Sequence, residues 1–279
     1  MVKRDSSIRL GPKGLRNRGN FCFLNAAMQC VLSQTDLATF YSTTSGDVVT
    51  PEDFIQQLRG SISLLNGKQQ DSHEFLLSLM HALFRELEHN SKEVYGDMQE
   101  FRELQKKNFV AGTFYGMLQT SVTCSTCLKR FKCTHHFSTL SLNVFPDIAT
   151  SLKFFTQENS LEKDNRWVCE NCHASKSSKH RIDIIDYPKV LIVHLMRFDG
   201  EYRKDNRGVN VEEELVLDGN VYEVFGLVCH SGVLNSGHYI AYAKRLGTWY
   251  CFDDEHVSKL ASGAPLRGSS AYLIFYQRK

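Results

Sequence analysis

Two C-x-x-C segments, Cys124-x-x-Cys127 and Cys169-x-x-Cys172, constrain this chain more than any other feature; 41 residues lie between them. Four thiolates in that paired spacing suit one tetrahedral zinc ion with Zn–S bonds near ~2.3 Å. Two turns far apart in sequence must therefore meet, and the chain between them must run out and return. The gap is longer than in a compact zinc ribbon, which a β excursion between the knuckles accounts for. A closed four-cysteine set is structural and leaves no open position for catalysis. Such sites are worth on the order of 10–16 kcal/mol to small modules, so this part of the fold is expected to depend on the metal.

The remaining bulk properties narrow the class. The 279 residues fit one large domain or two small ones and bury a sizeable core without disulfides. With 33 basic and 31 acidic residues the net charge is +2, which gives no broad footprint for nucleic acid. No apolar run reaches membrane-spanning length, and the N-terminus lacks the apolar stretch of a secretory signal. A reducing compartment, cytosol or nucleus, is expected, where nine cysteines point to metal or catalysis. Cys30, Cys133, Cys229 and Cys251 lack a chemical context and read as packing residues.

Helical signals come early and strand signals late. Residues 22–33 suit a helix, and so do residues 71–89, where Asp71 is a candidate N-cap and Leu76, Leu79, Leu83 and Leu87 share a face. Val190–Phe198, Val221–Cys229, His238–Lys244, Thr248–Phe252 and Ala271–Tyr276 read as strands. That order argues for an α+β fold.

Within this frame Cys22 begins the first helix, His238 follows the small residues Ser236 and Gly237, and Asp253 lies fifteen residues further on. A thiol, an imidazole and a carboxylate make a candidate nucleophilic triad whatever their separation in sequence. A free cysteine has a pKa of about 8.5, and lowering it by two units needs about 2.7 kcal/mol. The helix dipole supplies roughly 0.3–1 kcal/mol, or ~2 when partly buried, so an imidazolium has to supply the rest. Asp254 is the alternative orienter, and His230, expected in a loop near the substrate channel, is the runner-up base. His81 and His89 read as solvated, and His194 as a core residue.

The segments around Cys22 and His238 resemble the cysteine and histidine boxes of the ubiquitin-specific proteases. Gln69-Gln70-Asp71-Ser72-His73-Glu74-Phe75, Val190–Phe198 and Ala271–Tyr276 resemble further motifs of that family, in the same order, from about Gly14 to Tyr276. The resemblance implies a papain-like core with a helical thumb (about 14–110), β fingers carrying the zinc (about 111–187) and a β palm (about 188–279), after a flexible arm at 1–13. It implies hydrolysis after the C-terminal glycine of ubiquitin, on ubiquitin and ubiquitinated proteins, by a monomer. It assigns Asn17 to the oxyanion hole, with Asn20 as the competing donor. Asp71, Glu74, Gln70, Gly237 and Tyr239 become candidate contacts for the substrate tail, although Asp71 and Glu74 also fit helix capping. Gln69 is expected to support the thumb. Phe21 and Arg18 depart from the family's common threonine and leucine.

Overall fold

The computed structural model describes residues 12–33, 48–87, 97–162, 165–201, 203–233, 236–261 and 264–279. The chain opens with β1 (Gly14–Leu15), α1 (Cys22–Val31), β2 (Val48–Val49), α2 (Glu52–Leu58), α3 (Ser72–Leu87), α4 (Met98–Lys107) and α5 (Phe109–Phe114). It continues with β3 (Gly116–Cys124), β4 (Arg130–Phe137), β5 (Leu140–Leu142), α6 (Ile148–Phe155), β6 (Asn159–Leu161), β7 (Trp167–Cys169), β8 (Ala174–Lys176), β9 (Ser178–Asp186) and β10 (Val190–Leu195). The last elements are β11 (Glu214–Leu217), β12 (Asn220–Val233), β13 (Ser236–Arg245), β14 (Thr248–Asp253), β15 (His256–Lys259) and β16 (Ala271–Arg278). The expected helices-then-strands order forms in the main, with the short β1 and β2 among the helices and α6 among the strands. His89 and Asn235 lie outside the described residues, as do residues 1–11 of the expected arm.

An eight-stranded sheet dominates, in the order β15-β14-β13-β12-β16-β10-β5, with β11 paired to β12. Its central strands are apolar on both sides, the pattern of a sheet covered on both faces. Along β10, Val190 and Ile192 enter the core shared with the helices, while Leu191, Val193 and Leu195 enter the core beneath α6. β16 alternates in the same way: Leu273 and Phe275 face the helices, Ile274 and Tyr276 the other side. A second sheet, β4-β3-β9-β6, and the β7-β8 hairpin carry the cysteine pairs.

Helix α1 is wedged between α3 and strands β12, β13 and β14, which explains why only Met28 of its ten residues escapes burial. Arg245, at the end of β13, closes its C-terminus by donating to the Gln29 carbonyl (2.9 Å) and the Gln29 Oε1 (2.7 Å). Its guanidinium also lies over the Phe252 ring at 4.7 Å. The strand expected over Val190–Phe198 stops at Leu195. Arg197 then turns inward, 2% exposed. It donates to the carbonyls of Ala271 (2.7 Å), Asp205 (2.9 Å), Arg207 (2.7 Å) and Ser269 (3.2 Å), and these bonds tie the following loop to β16.

Candidate active site

The segment before α1 is fixed by its own amides. Asn17 Oδ1 accepts from the backbone N–H of Gly19 (3.1 Å) and of Phe21 (3.1 Å), which turns the chain into the helix. Asn20 sits at φ 52°, a left-handed conformation that asparagine tolerates better than most residues, and its Nδ2 donates to Gly67 O at 3.1 Å. Both departures from the family pattern have partners. Arg18 pairs with Glu52 of α2 at 3.1 Å, and Phe21 is buried beside Phe23 with ring centroids 6.2 Å apart.

Cys22 is the first residue of α1, as expected, but its thiol is not in an ionising environment. Burial pushes its pKa up; the backbone amides of Tyr239, Phe23 and Cys22 itself oppose this, and the Asp254 carboxylate adds to the rise. The helix start acts in the expected direction, and desolvation outweighs it.

On the sheet, β13 and β14 bring His238 and Asp253 together. His238 Nε2 and Asp253 Oδ1 are 2.6 Å apart, with the two side chains 43% and 53% exposed. This leaves Nδ1 for any second partner. The backbone of the following residue, Tyr239, opposes the rise in the Cys22 pKa, and the two residues share one core. Asp254 does something else. It occupies the two-residue turn between β14 and β15 at φ 51°. Its Oδ2 accepts from Asn17 Nδ2 (2.9 Å), its Oδ1 from Asn25 Nδ2 (2.8 Å), and its carbonyl from Leu15 N (2.9 Å). One carboxylate thus ties the pre-helix loop and α1 to the turn that follows Asp253. Sequence reasoning missed Asn25, whose only available signal was its place one turn after Cys22.

The candidate tail contacts are distributed differently. Asp71 caps α3 through Oδ1, which accepts from His73 N (2.7 Å) and Glu74 N (2.9 Å). Its Oδ2 accepts from the Tyr272 hydroxyl. The capping geometry therefore forms, and Glu74 beside it is exposed. Gln70 Nε2 donates to Asn66 Oδ1 (3.1 Å), whereas Gln69 Oε1 reaches the sheet and accepts from Gly237 N at 3.2 Å. The Tyr239 side chain is buried, 6% exposed, against His230 and Tyr272. Gly237 is held to glycine by packing: a Cβ there would lie 2.0 Å from His230 Nε2.

His230 was expected in a loop near the channel. It lies on β12, 3% exposed, among Phe198, Tyr239 and Tyr272, with Nδ1 unpartnered and its pKa lowered to about 4 by burial and by Lys204. A ring so placed is a poor base at neutral pH. His194 is a core residue: it stacks on His73 at 3.8 Å, its Nδ1 is 3.0 Å from Ser141 Oγ, and burial lowers its pKa to about 3. His81 is exposed. Among the four cysteines read as packing residues, Cys30 and Cys229 are buried, Cys251 is half-buried, and Cys133 is exposed on β4. Of its β4 neighbours, Lys132 is exposed and Thr134 half-buried.

The cysteine pairs meet at two hairpin turns, one between β3 and β4 and one between β7 and β8. The residue after each pair, Leu128 at φ 59° and His173 at φ 49°, makes the same left-handed turn. The four sulfurs lie within 4.8 Å of one another, with Cys124–Cys172 at 4.0 Å and Cys127–Cys169 at 3.7 Å. A tetrahedron with ~2.3 Å Zn–S bonds has edges of about 3.8 Å. The donor set and spacing fit zinc, and Cys172 N donates to Cys169 Sγ at 3.4 Å, a bond that favours the thiolate.

Comparison with known proteins places this architecture. A yeast SAGA DUB module superposes with a TM-score of 0.80 at 22% identity, over 100% of this chain and 71% of that one. The SAGA Ubp8/Sgf11/Sus1/Sgf73 DUB module bound to ubiquitin aldehyde superposes with a TM-score of 0.77, also at 22% identity, over 100% and 72%. The fold is that of a ubiquitin-specific protease domain. The ubiquitin carboxyl-terminal hydrolase profile matches residues 36–276, and the chain belongs to that family. Among its relatives, ubiquitin carboxyl-terminal hydrolase 2 of Bos taurus is 27% identical over 98% of this chain and 56% of its own length. Ubiquitin carboxyl-terminal hydrolase 25 of Arabidopsis thaliana is 27% identical over 96% and 47%. The chain thus spans about half the length of these relatives.

Proposed function

We propose that this protein is a cysteine-type deubiquitinase that hydrolyses isopeptide or peptide bonds after the C-terminal glycine of ubiquitin. The observation that carries the reading is one stretch of β13. It holds His238 on Asp253 and, one residue later, packs Tyr239 into the same core as Cys22, where the Tyr239 backbone favours the thiolate. Asp253 fixes the imidazole with Nδ1 facing away from the carboxylate. In this reading Nδ1 takes the proton from Cys22, and the thiolate attacks the carbonyl carbon of the final glycine. The tetrahedral oxyanion collapses to a thioester as His238 returns the proton to the leaving amine, and water then hydrolyses the thioester.

Asn17 suits the oxyanion role because its two ends are differently engaged. Its oxygen and one N–H direction are committed to the loop and to Asp254, which leaves the second amide hydrogen to act with the N–H of Cys22. Cys124, Cys127, Cys169 and Cys172 would hold a structural zinc that pins the two hairpins and takes no part in the chemistry. The helices at about 14–110, the strands at about 111–187 and the sheet at about 188–279 act as thumb, fingers and palm around ubiquitin. We further propose that the protein works as a monomer in the cytosol or nucleus, without nucleic acid or membrane. The test is reaction with a ubiquitin C-terminal electrophile followed by mass mapping. Label on Cys22, lost in Cys22→Ala while ubiquitin binding persists, is expected; label elsewhere or unchanged turnover in Cys22→Ala refutes the assignment. A parallel panel of electrophiles from other ubiquitin-like modifiers fixes the substrate.

A further inference from the structure

Strand β13 is paired on one side with β12 along its length, from Ser236 to Ala243, whereas β14 pairs only with Ala241–Arg245. Among the described residues, the first half of β13 therefore has an open edge. Amides on a strand alternate between its two sides. Those of Gly237 and Tyr239 share the side away from β12: the first meets Gln69 Oε1 at 3.2 Å, and the Tyr239 backbone opposes the rise in the Cys22 pKa. An open edge ending at a nucleophile is a template for an extended peptide, which adds as a strand by bonding alternate amides. The Gly237 amide is the first rung of that ladder, and the side-chain amide of Gln69, from the segment leading into α3, already occupies it. A glutamine side-chain carbonyl is chemically equivalent to a peptide carbonyl as an acceptor.

We propose that Gln69 is a latch across this edge, its side-chain carbonyl standing in for a peptide carbonyl of the substrate's extended C-terminal tail, so that the tail must displace it to bind. The proposal rests on the ubiquitin reading above. It makes Gln69 a positioning residue that sets how readily a tail enters, and assigns it no part in the chemistry. Entry exchanges one neutral hydrogen bond for another, so the latch weakens tail binding by the worth of the bond it already makes, about 2- to 10-fold.

The experiment compares wild type with Gln69→Ala and Gln69→Met, the second keeping the length and removing the acceptor. KM for a ubiquitin C-terminal fluorophore is expected to fall about 2- to 10-fold in both, with kcat held. Hydrogen exchange in the peptide containing Gly237 is expected to quicken in both without ubiquitin present. A KM that rises or stays level in either variant overturns the latch, because a residue that merely supports the fold or contacts the tail cannot be improved by its loss. Unchanged exchange overturns it without reference to substrate. A wild type that ignores ubiquitin probes while its exchange responds to the variants refutes the ubiquitin reading and spares the Gln69–Gly237 bond.

Discussion

Replacing Asp254 by asparagine keeps the side chain's shape and removes its charge, and the structure separates its effect from that of the same change at Asp253. Asp254 accepts from two amide nitrogens, Asn17 Nδ2 and Asn25 Nδ2, one on each oxygen. In Asp254→Asn one of those oxygens becomes an NH2 group facing another NH2. Flipping the amide only moves the mismatch from Asn17 to Asn25. One charge-assisted bond is lost, worth about 1.5–3 kcal/mol, which corresponds to a fall in Tm of about 3–10 °C for a chain of this size. Turnover should fall about tenfold, through loosening of Asn17. Asp253 has a different environment: its bond is to His238, and the pair is half exposed. Asp253→Asn should cost less than about 1 kcal/mol of stability while lowering turnover about 10²–10⁴-fold. Calorimetric melting and steady-state hydrolysis of a ubiquitin fluorophore measure both quantities on both variants. If Asp254→Asn melts with the wild type, or if Asp253→Asn destabilises as much as Asp254→Asn, the division of labour between the two carboxylates is wrong.

Other consequences follow from particular contacts. Gly237→Ala should lower both stability and turnover, since its methyl would overlap His230; adding His230→Ala should give a double variant less damaged than the sum of the two, and strict additivity would refute the clash. Purified, unoxidised protein should contain about one zinc per chain, and a chelator should disorder the β3–β4 and β7–β8 hairpins in hydrogen exchange; protein without metal but fully protected there would contradict this. The buried histidines set an acid limit. His194 and His230 have folded pKa values lowered to about 3 and about 4, below the unfolded value near ~6.5. Their neutral forms therefore stabilise the fold above pH ~6.5, and each group removes up to about 1.4 kcal/mol per pH unit as pH falls below that towards its folded pKa. His194→Gln should flatten the fall of denaturant midpoint between about pH 6 and 4; an unchanged slope would show that His194 does not contribute.

The fold's outline was legible because its periodicities are strong. The apolar runs at Val190 and Ala271 announced strands, and the two C-x-x-C pairs announced where the chain must return. His238 and Asp253 were legible because each sits in a motif. Asp254, Asn25 and the Gln69–Gly237 bond were not, because each depends on which way an amide points once strand and helix have docked. Neighbouring residues with similar sequence claims, Asp253 and Asp254 or Gln69 and Gln70, are separated only by the alternation and turn geometry of the folded chain. His230 is expected in a loop from the sequence, whereas β12 runs through it, with Gly232 at φ 90° still inside the strand. The thiol's raised pKa was equally hidden, since burial is a property of what packs on Cys22 from β13.

The position of β16 in the sheet bears on how the protein is made. Residues 271–278, near the end of the chain, fill the slot between β12 and β10. A growing polypeptide reaches the ribosome's exit with its widest sheet split in two, each half showing a bare edge of apolar strand. Until those eight residues emerge, such halves are prone to join other chains edge to edge. Synthesis that stalls before Ala271 would therefore yield a sticky fragment with Cys22 present and its scaffold unclosed.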